Sequence, residues 1–416
     1  MSEVCALEIE SIAAGGDGIA RHQGLVVFVP RTAPGDRVVA LVQQRKRLAR
    51  GIVQRIERAA AGRVTAPCAH YDTDQCGGCQ LQHLSLYAQH QAKRRIVADA
   101  FGRIARREVP LPEIRTDGNP WRYRSKLTLA LRRTTMGWIA GLHSRDAPDR
   151  IFELRDCLIS HERLLQVWRE VVSASRYLPN VDRLRGTVRL LGDHSGGVAF
   201  ALDGAREWGV HEAFFSRTPS LDALWWTPEG AGRRLLHDRR PVDADREPGA
   251  SFTQVNPGVA MLLRAYLINA VMRHSPETVV DAYAGTGEVA IALAARGVRV
   301  TAIELDHDAS AWAGARLAQR SRAVTGRVED HLGSALPADV VVLNPPRAGV
   351  DLRVTDVLDT AVGVRSILYV SCDPATLARD VARLPGWRLA SLTTFDMFPQ
   401  TAHVETVCEL VPDPTP

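Results

Sequence analysis

The sequence predicts an α/β protein in three parts: a small β-barrel over residues 1–58, a strand-rich central domain over 59–245, and a doubly wound, mostly parallel sheet over 246–416. Three observations predict it. From residue 251 onward, apolar strand-like runs ("TVVDAYAG", "VRVTAIELD", "ADVVVLNPP", "SILYVSCD") alternate with helical stretches, the pattern of a parallel sheet with helical crossovers. Residues 3–57 read instead as short alternating strands broken by glycine turns. Between these parts, "WRYRSKLTLALRR", "GTVRLLG" and "GGVAFAL" are again strand-rich. A chain of 416 residues, 45% hydrophobic and 24% charged, is long enough for two or three such cores.

Composition excludes several classes. No apolar run approaches the roughly 20 residues of a spanning helix, and the acidic start "MSEVCALEIE" lacks a signal-peptide core, so a cytoplasmic protein with no membrane partner is expected. Seven cysteines in so long a chain are no secreted disulfide framework; in a reducing compartment clustered cysteines bind metal or do chemistry. Residues 1–140 hold 22 Lys and Arg against 12 Asp and Glu, while the remainder is net acidic. That asymmetry suits a polyanion-binding N-terminal part, although a solvated basic face has the same composition.

Taken in order, the barrel comes first. Its words "GDGIAR", "GLVVFVPRTAPGDRV" and "QQRKRLARG" resemble a TRAM domain, an OB-like RNA-binding barrel, and this resemblance makes Arg45, Lys46, Arg47 and Arg50 the candidate grip on RNA. A second candidate grip is Lys93, Arg94, Arg95, Arg122 and Arg124. A Cys-rich connector follows at 66–80, then a helical stretch from about Leu84 to Arg107. Residues 203–250, rich in Arg, Asp, Pro and Gly, read as irregular.

In "VVDAYAGTGEVAIALAARG" a strand runs into Gly285 and Gly287 and then a helix, at the strand end where open α/β sheets bind ligands. Such a GxG alone also fits a structural turn. The next strand ends in Glu304, 17 residues beyond Gly287, where a carboxylate can take the two hydroxyls of a ribose. With no GxGxxG and no arginine cluster for a pyrophosphate, the pattern favours S-adenosyl-L-methionine over NAD. Gln254 stands just before the first helix of this domain, and Asn344-Pro345-Pro346 forms a rigid polar corner at a strand end.

Cys372, in "ILYVSCDPATLARD", lies at the carboxyl end of the strand that follows this corner. Its thiol is reactive only if its pKa is lowered, for which the following helix and Arg347 or Arg379 are candidates; a buried inert cysteine is the alternative. Glu405, 33 residues later and close to His403, sits in an otherwise apolar run.

Together "SFTQVN", "GTG", "IEL", "PPRAG", "YVSCDPATLARD" and "DMFPQTAHVETV" resemble the RNA 5-methyluridine (uracil-C5) methyltransferases, which act on tRNA and 23S rRNA. The resemblance covers nearly the whole chain. It implies a Rossmann-like S-adenosyl-L-methionine domain with Cys372 as nucleophile and Glu405 as base. Gln254, Tyr283, Glu304 and Asn344 then contact cofactor or substrate. The chemistry needs such groups: a thiolate adding to C6 makes C5 of uracil nucleophilic, and a base must afterwards remove the C5 proton. The target base must also leave its stack.

Cys68, Cys76, Cys79 and Cys157 read C-x7-C-x2-C-x77-C, which suits zinc or an iron–sulfur cluster; the resemblance implies [4Fe-4S], against a zinc knuckle. His70 and His83 are nearby stray donors, and Cys5 and Cys408 have no motif. Two departures stand out: Asn344 where the family usually has Asp, and Asp373 where it often has Asn. "NPP" also fits an amine-directed methyltransferase, and a non-catalytic RNA binder on a methyltransferase scaffold is a third reading. The barrel with its cysteines leans toward 23S rRNA rather than tRNA, and a monomer is expected.

Overall fold

The computed structural model describes residues 2–45, 48–192, 196–241, 253–318 and 320–414. Residues 2–58 form a six-stranded sheet, with Leu7, Ile9, Ala20, Val27, Val29, Val38, Ala40 and Val42 closing its core. Among the described residues, ion pairs that tie it to the rest of the chain include Arg31 to Asp72 at 3.0 Å, Arg50 to Asp146 and Asp36 to Arg63.

The central sheet has seven strands, in the order Ile151–Glu153, Gly137–His143, Lys126–Thr134, Arg183–Leu190, Val198–Asp203, Ala223–Thr227, Arg234–Asp238. One face packs beneath the helices Glu162–Ser173 and His211–Ser216 through Leu129, Leu131, Val188, Phe200, Trp168 and Phe214. Part of the segment expected to be irregular is therefore regular: it supplies a helix and two strands, built on "HEAFFS", "ALWWT" and "RLLHD".

The C-terminal sheet has eight strands. Arg322–Thr325, Arg299–Glu304, Thr278–Ala282, Val340–Leu343 and Ser366–Ser371 are parallel, as expected for helical crossovers. Glu405–Pro412 then pairs antiparallel with Ser366–Ser371, and Trp387–Phe395 pairs antiparallel with it. The last strand, Glu113–Arg115, comes from before the central sheet. The division at residue 246 thus does not follow the packing everywhere. The helix Leu86–Ala100, continued by a π-turn over Phe101–Ala105, buries Val97 and Phe101 in the C-terminal core and packs Ala92 and Ile96 against Ile12, Leu81 and Leu84 on another side.

Lys93 of that helix is fully buried, donating to Asp396 and to the carbonyl of Phe398 at 3.0 Å, while His90 Nε2 lies 2.9 Å from Asp396. It cannot reach RNA, so it leaves the second candidate grip. Arg94 and Arg122 are also engaged, Arg94 with the Pro112 carbonyl and Arg122 with Asp156. Removing one member of a buried pair strands the other charge. Lys93→Met is expected to cost about 3–5 kcal/mol in urea unfolding, and Lys93→Met/Asp396→Leu to recover much of it.

Candidate active site

At the carboxyl ends of four of the five parallel strands of the C-terminal sheet the candidate residues gather. After Thr278–Ala282 the chain turns through Tyr283 (φ 62°), Gly285 (φ 56°) and Gly287 (φ 76°), which caps the next helix. A left-handed Tyr283 costs on the order of 1 kcal/mol, so the turn is enforced by its surroundings. The two glycines differ in role. A Cβ on Gly285 would meet nothing within 4 Å, whereas one on Gly287 would lie 2.7 Å from the Ala313 Cβ. Gly285 leaves room for a ligand, and Gly287 lets two helices close.

Glu304 Oε2 accepts from the Gly285 N–H and Oε1 from the Asp306 N–H, each at 2.8 Å. Those bonds fix the carboxylate at the strand end while leaving lone pairs for a diol. Asp281, which sequence reasoning missed, is buried in the same strand as the turn and accepts from the Ala290 N–H at 3.1 Å. Burial pushes its carboxyl up to about 7. A lone Asp inside the apolar run "VVDA" was the signal available.

Gln254 is held by its backbone, whose carbonyl accepts from Ser125 Oγ at 3.3 Å; the next residue but one, Asn256, caps the helix Pro257–Met272. Asn344 ends its strand with its N–H on the Ala282 carbonyl at 3.2 Å. The loop after it is clamped by buried Asp380, which accepts from the Val350 N–H (3.0 Å), Tyr369 Oη (2.7 Å), Arg379 and Arg383. Gly349 permits that clamp, since a Cβ there would lie 2.2 Å from Asp380 Oδ2.

The clamp sets Arg347 beside Cys372. The thiol is half-buried between the strand Ser366–Ser371 and the helix Pro374–Ala382, whose cap Asp373 accepts from the Thr376 N–H at 2.9 Å. Burial and then the Glu405 carboxylate push the thiol above its ordinary value, with Arg347 pulling the other way through charge and a hydrogen bond. The expected net lowering is thus absent. Arg379 does not help, because its guanidinium serves Asp380 and the Ala348 carbonyl. Glu405 is 3% exposed, and burial raises its carboxyl to about 8 against Arg347. Burial and the charges of Arg347, Lys93 and Arg124 hold His403 below the ordinary histidine range.

The loop that leads to Glu405 is anchored from outside its own domain. The Gln400 carbonyl accepts from the N–H groups of Gln80 (3.2 Å) and Leu81 (3.0 Å), and its side chain and backbone exchange two 3.0 Å bonds with the Gln89 side chain. Tyr123 Oη donates to the Pro399 carbonyl at 2.9 Å.

Gln80 directly follows Cys79. Cys68, Cys76, Cys79 and Cys157 are all free thiols in one corner with Tyr71, Tyr123 and Ile159, close enough that their charges would repel. Burial pushes Cys68 up, Cys76 to about 11 and Cys79 further. As a donor set, four thiols without carboxylates suit a soft metal or an iron–sulfur cluster. Yet among the described residues no three His, Cys, Asp or Glu side chains meet in metal-holding geometry. The stray histidines have other partners: His70 meets Asp74 and the Arg155 N–H, His83 meets Tyr71 Oη and the Thr32 carbonyl.

Of the barrel residues, Lys46 and Arg47 lie outside the described residues. Arg45 ends the strand Arg37–Arg45, and Arg50 is paired with Asp146.

A family profile described as tRNA (uracil-5-)-methyltransferase matches residues 318–411. The chain is 32% identical to a 23S rRNA (uracil(1939)-C(5))-methyltransferase, RlmD, of Halomonas elongata, over 96% of this chain and 88% of that protein. It is 30% identical to an uncharacterised RNA methyltransferase of Halalkalibacterium halodurans, over 98% and 97%. A solved Pyrococcus abyssi tRNA (uracil-54, C5)-methyltransferase, in complex with S-adenosyl-L-homocysteine, shares the fold at a TM-score of 0.69 and 21% identity, covering 99% of this chain and 100% of that one.

Proposed function

Because the chain belongs to the RNA uracil-C5 methyltransferase family, we propose that it makes 5-methyluridine in structured RNA, with Cys372 as nucleophile and Glu405 as base. The observation that carries this reading is the meeting of Cys372, Glu405 and Arg347 at the strand ends that also hold Glu304 and Gly285. The methyl donor is S-adenosyl-L-methionine, held by Gly285, Glu304, Gln254, Tyr283 and Asn344; when bound it supplies an electrophilic methyl group.

Cys372 starts as a thiol and loses its proton to solvent, with Arg347 on the sulfur stabilising the thiolate. The thiolate adds to uracil C6, and C5 then carries the negative charge and takes the methyl group. Glu405 next removes the C5 proton, and the thiolate leaves. A carboxyl raised to about 8 is mostly protonated near neutral pH, so its ionised fraction, a stronger base than an exposed carboxylate, takes that proton. Amine-directed chemistry through Asn344 would leave this thiol–carboxyl pair without a task.

23S rRNA is preferred to tRNA as substrate, since the RlmD relative acts on 23S rRNA and spans nearly the same length. Nucleoside mapping of both RNAs, with and without the gene, tests this. Loss of 5-methyluridine from 23S rRNA alone is the expected result, and loss from tRNA alone would reverse the assignment.

The four thiols of Cys68, Cys76, Cys79 and Cys157 hold a [4Fe-4S] cluster whose role is to brace the segment leading into Gln80 and Leu81, and so the loop before Glu405. Protein purified without oxygen is expected to be brown, with about four irons per chain. Stoichiometric zinc without iron would mean a zinc knuckle instead.

A further inference from the structure

The face of the central sheet turned away from the helices Glu162–Ser173 and His211–Ser216 carries a cationic ladder. Along Lys126–Thr134, Leu127, Leu129 and Leu131 point to the core, so Lys126, Thr128, Ala130 and Arg132 point away. Along Arg183–Leu190, Leu184, Val188 and Leu190 are inward, leaving Arg183, Arg185 and Thr187 on the outer face with solvent access, while Arg189 on that face is buried. The antiparallel register sets Arg183 opposite Arg132 and Arg189 opposite Lys126. Between these pairs, the facing hydroxyls of Thr128 and Thr187 are 3.1 Å apart.

Like charges directly opposite each other on a sheet are destabilising, and a carboxylate at either position would reverse the sign. Arg183 and Arg132 form such a pair with solvent access on both sides, whereas Arg189 opposite Lys126 is buried and bonded to Thr253. Asp203, opposite Arg185 on the third strand, lies 3.8 Å from Arg233. Burial and the arginines 189, 233, 185 and 124 together push the Lys126 ammonium below the ordinary lysine range, a measure of the positive field there. Arg183, Arg185 and Arg132 thus gather positive charge on a face that reaches solvent, where a polyanion can meet it.

The ladder also reaches the active site. Arg189 donates to Thr253 Oγ1 at 3.2 Å, next to Gln254, and Arg124 acts electrostatically on both Lys126 and His403. Small Ala130, Thr128 and Thr187 keep the surface between the cations low enough for a polymer backbone to lie on it.

We propose that this outer face of the central sheet holds the phosphodiester backbone of the RNA whose uridine enters the active site, with Arg132, Arg183 and Arg185 each neutralising a phosphate. The proposal rests on reading the chain as an RNA methyltransferase. It places the main grip on the central domain rather than on the barrel's Arg50, which is already paired with Asp146.

The test uses the full-length protein, an unmodified 23S rRNA transcript and the triple variant Arg132→Ala/Arg183→Ala/Arg185→Ala. RNA affinity at low salt is expected to fall about 10- to 100-fold, and the log–log salt slope to shrink by about 2, at roughly 0.7 per phosphate contact. S-adenosyl-L-methionine affinity should not change. The melting temperature should hold or rise, because a like-charge pair is gone, and the Arg→Lys triple variant should keep most of the affinity. Unchanged RNA affinity and slope, in a preparation whose wild type methylates RNA, would overturn the proposal. So would affinity lost only in step with a lowered melting temperature, or a dimer that the variant dissociates, which would assign the face to a second copy. A wild type that methylates no RNA would instead overturn the functional reading beneath it.

Discussion

Replacing Cys372 by alanine is expected to lower methylation by on the order of 10⁴-fold or more, since no other group beside uracil C6 can open the covalent route. Folding should be little affected, because a small, half-buried thiol is exchanged for a methyl group. Cofactor affinity should be unchanged, as Glu304 and Gly285 are fixed by their own backbone bonds. With RNA carrying 5-fluorouridine, the wild type should accumulate a stable protein–RNA adduct. Fluorine at C5 cannot leave as a proton does, so the adduct persists after methyl transfer. Cys372→Ala should form none, and equal adduct in both would remove Cys372 from the mechanism.

Glu405→Gln is expected to separate two halves of the reaction. Thiol addition and methyl transfer need no carboxylate, while proton removal does, so turnover should fall by about 10²–10⁴-fold as methylated RNA accumulates on the protein. The same variant should change stability in the opposite direction. Folding raises this carboxyl from an ordinary 4.5 to about 8, so the folded state holds its proton more tightly than the unfolded one. The stabilisation is fully present below about pH 4.5 and is lost as pH rises through about 8. Wild type should therefore lose melting temperature between about pH 4.5 and 8 that the non-titrating glutamine variant keeps. Parallel melting curves for the two proteins would show that Glu405 is not buried as a neutral acid.

Much of this site is legible in the sequence because its chemistry sits in short contiguous words. Cys372 precedes its helix by two residues, and Glu405 opens a strand; both positions follow from local pattern. The parallel sheet is equally legible, since its strands are buried on both faces and read as apolar runs. Other features are not. Glu113–Arg115 joins the C-terminal sheet beside Thr393–Phe395, far along the chain, and a three-residue strand carries no periodicity of its own. The balance of forces on Cys372 depends on a glutamate and an arginine that share no segment with it, so the sign of its shift cannot be read from its neighbours. Lys93 looks like a surface cation in "QAKRR" but is buried, because its partner Asp396 lies on a distant loop. The cationic ladder is hidden for the same reason: Arg132 and Arg183 become a facing pair only through the register of two strands.

The central claim is that the product is 5-methyluridine made through Cys372. It is tested most directly by incubating the purified protein with an unmodified 23S rRNA transcript and methyl-labelled S-adenosyl-L-methionine, then digesting the RNA to nucleosides. The account predicts label in 5-methyluridine alone, dependent on Cys372. Label on an exocyclic amine, or on 5-methyluridine made equally well by Cys372→Ala, would contradict it.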